Sequence, residues 1–271
     1  MIPAIETGPY LVSHDEGILT ITFNRPEARN AIPTEAVLPL TDLYQRIAED
    51  RDVRVVLVKA TGENFGGGGD VAGMKASLDL SPEDRSQSYL RRLDNAGAMV
   101  RAWCAIPQPI VTAVRGSVAG AAMVYTLGAD IVLGDPTTYF LCAHTLIGLP
   151  PDSGLSWLLP RSIGVKRATD MFLSGRKVDA DEALAVGLMS RIVAADALDE
   201  EAEKLARTLV RGPANVLRDA KAMIAGASSA TLAAQLDLER DKVAEHVAAP
   251  DFVEGVSAFM EKRRARFPGA G

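Results

Sequence analysis

The residues able to do chemistry fall in a few short stretches. The run IGLPPDSGLSW (147–157) sets one acidic residue, Asp152, close behind two prolines, with Leu149, Leu155 and Trp157 nearby. Pro151-Asp152-Ser153-Gly154 before an apolar run is a helix-start signal, which makes Asp152 a candidate N-cap. A carboxylate among apolar side chains is also a candidate proton carrier, with a pKa raised by desolvation. Local sequence alone favours the cap. The run NFGGGGD (64–70) lets main-chain N–H groups meet a ligand with no side chain between them. Its last residue, Asp70, is placed to cap a following helix. An opposing N–H could come from the glycine-to-helix junction Gly120-Ala121-Ala122, and the two donors together would form an oxyanion hole. Taken singly, each stretch reads as a flexible loop or a tightly packed helix start.

Two phosphate-binding readings of the glycine run fail on the residues. It lacks the Lys-Ser/Thr ending of a nucleotide loop. Gly67-x-Gly69-x-x-Ala72 fits a dinucleotide fingerprint only loosely, and Asp70 would put negative charge where the pyrophosphate should lie.

The elements that must position these groups follow from patterning. Residues 10–14 and 18–23 are short β-type runs around Asp15-Glu16-Gly17, a hairpin signal. Residues 34–49 predict a helix with Thr34 as N-cap. Residues 54–59 form a nearly continuous β-branched run, as in a strand covered on both faces. A helix is expected from Asp70, a mobile polar tract over 78–87, and a long helix over 88–104. Strands follow at 110–114, 131–133 and 138–141, with a buried helix over 120–128. From 154 to 267 nearly everything reads as helical. Strand–helix alternation followed by a helical tail predicts an α/β core with a C-terminal helical region.

The 271 residues suit one sizeable domain, with 48% hydrophobic and 24% charged residues. A net charge of −6 argues against a general nucleic-acid binder. Cys104 and Cys142 have neither metal-ligand spacing nor a disulfide framework, which fits a reduced cytoplasm. The three histidines, at 14, 144 and 246, are scattered, so no metal site is expected. The first residues show no signal-peptide pattern. The uncharged run 116–129 falls short of the roughly twenty residues needed to cross a bilayer. A soluble, cytoplasmic protein with no membrane contact is therefore expected.

The motifs NRPEARNA (24–31), FGGGGD (65–70), AVRGSVAG (113–120), GAD (128–130), LPRSIG (159–164), LSGR (173–176) and FVEGVSAF (252–259) resemble those of the enoyl-CoA hydratase/isomerase (crotonase) family. The likeness runs in order over nearly the whole chain. It implies a spiral of ββα units over 1–200 that binds acyl-CoA, with a helical oligomerisation region over 201–271. It also implies a homotrimer or a dimer of trimers. The thioester carbonyl would be held by the N–H groups of Gly69 and Ala121, with Gly67, Gly68 and Asp70 shaping that loop. Coenzyme A would enter as part of the substrate, with no separate cofactor. Its adenine and phosphates would lie against Arg25, Ala28 and Arg29, and Phe259 and Lys262 of a neighbouring subunit would add to the site.

Where hydratases of that family carry two glutamates, this chain has Val124 and His144. Adding water needs groups that orient it and manage its protons. Valine can do neither, and a lone histidine at a strand end more often packs or hydrogen-bonds. Asp152, eight residues past His144, matches the aspartate of several isomerases in the family. The run GLPPDSGLSWLLPR (148–161) and the tail segments QLDLER (235–240) and EGVSAFMEK (254–262) are most similar to 1,2-epoxyphenylacetyl-CoA isomerase-like members. The resemblance therefore tips Asp152 from cap to base. Dehalogenation would need a histidine in the helix before strand 110–114, where Gly97 stands. A hydratase-type lyase and a non-catalytic acyl-CoA-binding paralogue remain the alternatives.

Overall fold

The computed structural model describes residues 2–267, apart from the Ala72 side chain. Strand β1 (Tyr10–Asp15) pairs antiparallel with β2 (Ile18–Phe23) through a turn in which Glu16 and Gly17 both have positive φ. That geometry matches the twist of the strands. The expected helix over 34–49 begins instead as a 3-10 turn, Thr34–Ala36, with extended Pro33 rather than Thr34 at its cap; α1 (Val37–Glu49) continues it. Next come β3 (Val55–Ala60) and α2 (Val71–Ala76).

Helix α3 (Pro82–Cys104) corrects two expectations. The tract 78–87, expected to be mobile, is mostly helical, and the long helix starts well before residue 88. Ser81 caps it, its hydroxyl accepting from the Asp84 N–H at 3.1 Å, with Pro82 first in the helix and Glu83 and Asp84 in the first turn. The polarity that suggested a loop is N-terminal capping and dipole chemistry.

The chain continues through β4 (Ile110–Val114), β5 (Ser117–Ala119) and a 3-10 turn, Gly120–Met123, that runs into α4 (Val124–Leu127). Strands β6 (Ile131–Gly134) and β7 (Tyr139–Leu141) precede α5 (Leu155–Ile163) and α6 (Val165–Ser174). The region after 154 is not all helix: β8 (Lys177–Asp179) and β9 (Arg191–Ile192) flank α7 (Ala180–Val186). Strands of three and two residues are too short to give a periodic signal. Helices α8 (Leu198–Val210), α9 (Ala214–Ala227), α10 (Leu232–Val247) and α11 (Pro250–Met260) close the chain.

The larger sheet has the order β1-β2-β3-β4-β6-β9 and is parallel after the first hairpin. The smaller has the order β5-β7-β8. Side chains alternate between faces. Leu19, Ile21, Val56 and Val58 face a core that includes Tyr44 and Trp103 of α1 and α3. Ile18, Val55, Leu57 and Val111 face Leu198, Ala202 and Ala206 of α8. Helices on both faces explain why β3 reads as an unbroken apolar run. Among the described residues no helix is long and apolar enough to cross a membrane.

Candidate active site

The candidate site lies beyond the carboxyl ends of β3 and β4, the usual place for a ligand in a parallel sheet. There the loop after β3 meets the turn after β5. Gly66 is stitched to β5 by hydrogen bonds from its N–H to the Ser117 carbonyl and from the Ala119 N–H back to its own carbonyl, both 2.9 Å. Gly68 has φ +95°, and a Cβ there would lie 2.9 Å from the Ala119 carbonyl oxygen. Gly120 has φ +50°, and its absent Cβ would sit 3.6 Å from the Gly68 Cα. At Gly68 only glycine leaves room for this approach, and at Gly120 the left-handed φ favours glycine.

The next residue on each side, Gly69 and Ala121, is a predicted donor. Ala121 lies in the first turn of the helical segment starting at Gly120, where N–H groups have no intrahelical acceptor. The Gly69 N–H makes no hydrogen bond within the described residues. Both residues line one cavity of about 110 Å³, together with Gly68, Asp70, Val124 and Asp152. Asp70 stands at the cap position of α2, but its side chain makes no cap hydrogen bond.

Asp152 is not a helix cap. Gly154 occupies that position before α5, and the Asp152 carboxylate instead lies 3.3 Å from Nε2 of His144. His144 is buried at 6% exposure, and its Nδ1 is buried with no hydrogen-bond partner among the described residues. The tautomer that carries its proton on Nε2 donates it to Asp152. Burial, the largest influence, pushes the Asp152 carboxyl up, but the His144 and Ser153 hydrogen bonds and the charge of His144 outweigh it. The carboxyl is held below its ordinary value, opposite to the raised pKa the apolar neighbours suggested.

The turn carrying Arg25, Ala28 and Arg29 lies on the other flank of the glycine loop, where the Gly67 N–H donates to the Arg29 carbonyl at 2.7 Å. Phe259 and Lys262, at the end of α11, do not line the cavity within this chain; Phe259 is 83% exposed.

Two kinds of residue at the site escaped the sequence reading. Asn30, 3% exposed and at φ +54°, accepts from the Arg25 N–H at 2.7 Å and donates to the carbonyls of Thr61 (2.8 Å) and Asn64 (2.7 Å). Asn64 Oδ1 in turn accepts from the Ser117 N–H at 3.1 Å. Two amides thus pin the 24–31 turn, the glycine loop and β5 together. The second kind is one stripe of α3, namely Tyr89, Arg92, Leu93, Ala96, Met99 and Val100, which walls the cavity. Its spacing of three and four residues is visible in the sequence. An adjoining cavity of about 920 Å³ shares Met74, Tyr89 and Leu93 with the inner one.

This architecture matches known proteins throughout. The model of the enoyl-CoA hydratase/isomerase family matches residues 13–270, and the chain belongs to that family. It is 34% identical over 261 residues to 1,2-epoxyphenylacetyl-CoA isomerase of Escherichia coli (strain K12), covering 96% of this chain and 98% of the relative. It is 33% identical to the trans-2-decenoyl-[acyl-carrier-protein] isomerase of Streptococcus mutans serotype c, covering 96% and 97%. A crystal structure of an enoyl-CoA hydratase from Mycobacterium smegmatis superposes with a TM-score of 0.87 at 29% identity, covering 96% and 99%.

Proposed function

We propose that the protein is an acyl-CoA isomerase that shifts a double bond, or rearranges an epoxyacyl-CoA, by proton transfer through Asp152. One observation carries this reading: Asp152 shares a small cavity with Gly69 and Ala121, and the wall at Val124 is hydrocarbon. With the thioester carbonyl between the two N–H groups, the Asp152 carboxylate takes a proton from a carbon adjacent to, or conjugated with, the carbonyl. The C–H electron pair moves into the conjugated system, and negative charge develops on the carbonyl oxygen. Two preorganised donors oppose that charge, each worth about 10²–10³ in rate in comparable sites. Protonated Asp152 then returns the proton at another carbon, which completes the shift with no atom gained or lost. The lowered carboxyl keeps Asp152 in the ionised form a base must have, at a cost in basicity toward carbon that the two oxyanion donors offset.

Hydration would need a second group to orient water. Val124 offers none, and the His144 ring is buried behind Asp152. The names of the two isomerase relatives support the same choice. Arg25 and Arg29, with Ala28, flank the loop on the side proposed to hold the coenzyme A phosphates. Phe259 and Lys262 would complete that site from a neighbouring subunit of a homotrimer or dimer of trimers; the exposed apolar residues Ile224, Phe259 and Met260 suit such an interface. The test is turnover of straight-chain and aromatic-derived enoyl- and epoxyacyl-CoA esters, followed by mass and ultraviolet absorbance. A product of unchanged mass is expected. A gain of one water would assign the hydratase reaction, and bound esters without turnover would assign a non-catalytic role.

A further inference from the structure

The α3 wall of the cavity carries two arginines that the proton-transfer reading leaves unused. Arg92 lines the inner cavity beside Asp152 and Ala121, and its guanidinium lies 5.0 Å from the centre of the Tyr89 ring. Among the described residues it makes no hydrogen bond and no ion pair within 4.0 Å, although the Asp70 carboxylate lies near it and lines the same cavity. Three surface arginines of this chain are held by carboxylates, Arg176 by Asp170 and Glu182, Arg207 by Asp15 and Glu16, and Arg263 by Glu254 and Glu261; what sets Arg92 apart is its place in the cavity wall. Arg85, seven residues earlier and thus roughly 10 Å away along the helix, lines the outer cavity. Its Nε is buried without a hydrogen-bond partner among the described residues. Lys75 joins it there, and no residue lining that outer cavity is acidic. The remaining wall is largely apolar, with Val71, Leu78, Leu90, Ile147 and Leu149. In the outer cavity positive charge on a largely hydrocarbon wall suits a chain that is apolar along its length and anionic at its end.

We propose that Arg92, with Arg85 further out, selects acyl-CoA esters whose acyl chain ends in a carboxylate, the mono-thioesters of α,ω-diacids. The inference rests on reading the cavity as the acyl site, not on which reaction occurs there. A guanidinium matches a carboxylate with two parallel hydrogen bonds, the geometry that makes such pairs selective. The phosphates of coenzyme A are the other possible anion. Arg92, however, shares its small cavity with the proposed thioester donors, and the pantetheine arm separates the thioester from the phosphates.

The test is calorimetric binding of saturated mono-CoA thioesters of four- to ten-carbon diacids, each against the neutral alkanoyl-CoA of equal length. Tighter binding of the diacid ester by about 10-fold or more is expected for at least one length. In R92M that preference should fall by about 10- to 100-fold, with part of it restored in R92K. R85M should lower it only for the longer chains. The same series as pantetheine thioesters separates the two anions: preference kept without the phosphates supports a carboxylate contact. A loss in R92M that is equal for diacid and neutral esters, and absent from the pantetheine series, would assign the arginine to phosphate and overturn the proposal. Neutral chains binding as tightly at every length would overturn it too. Saturated ligands need no turnover, so failure of the isomerase reading would appear separately.

Discussion

Asn30→Ala probes how the site is held rather than what it does. The Asn30 side chain makes three hydrogen bonds of 2.7–2.8 Å to three different main-chain groups and is almost fully buried. A net contribution of about 0.5–1.5 kcal/mol per hydrogen bond gives about 3 kcal/mol. Alanine at φ +54° adds up to about 1 kcal/mol, because asparagine tolerates the left-handed region better. A total near 4 kcal/mol should appear as a lower urea midpoint at unchanged slope. N30G separates the parts: it relieves the backbone but restores no hydrogen bond, so it should recover about 1 kcal/mol at most. Because the lost bonds join the 24–31 turn to the glycine loop, both variants should also raise KM for acyl-CoA. A loss within about 1 kcal/mol, or full recovery in N30G, would refute the assignment of Asn30 as the clamp.

Four further outcomes follow from the same geometry. In H144F the hydrogen bond and charge of His144 that lower the Asp152 carboxyl disappear while burial and the Ser153 hydrogen bond remain, so the acid limb of kcat/KM should move to higher pH; an unmoved limb would separate His144 from the base. The Asp152 carboxyl is depressed in the folded state, so its interactions stabilise the fold above the unfolded pKa and are lost as pH falls through the folded one. H144F should therefore flatten the acid end of the stability–pH curve measured by urea unfolding. G68A should lose about 1–3 kcal/mol and about 100-fold in kcat/KM, because its Cβ would force the two donor loops apart. G8A, at φ +114° with nothing within 4 Å of its Cβ, should lose stability without that loss of rate.

Much of the frame was legible in the sequence because it is built from local signals. The hairpin around Glu16 and Gly17, the apolar run of β3 and the two glycine junctions each announce themselves within a few residues. What escaped depends on contacts between distant segments. The 78–87 tract looks loop-like until Ser81, Pro82 and Asp84 are seen as the cap of a long helix. Strands β8 and β9 form only because β7 and β6 offer them edges. The resemblance placed Asp152, yet its lowered carboxyl could not be read from the apolar neighbours, since the decisive group is a histidine eight residues away that turns back to meet it. Asn30 sits in a quoted motif, but its role appears only when Thr61 and Asn64 arrive beside it.

The most direct measurement of the central claim is hydrogen exchange at the acyl carbons. A β,γ-unsaturated acyl-CoA would be incubated with enzyme in deuterium oxide and followed by proton NMR. The native enzyme should move the double bond and exchange the abstracted position, while D152N should do neither, though its affinity for a saturated acyl-CoA is retained. Exchange and migration persisting in D152N would show that another group carries the proton and contradict the account.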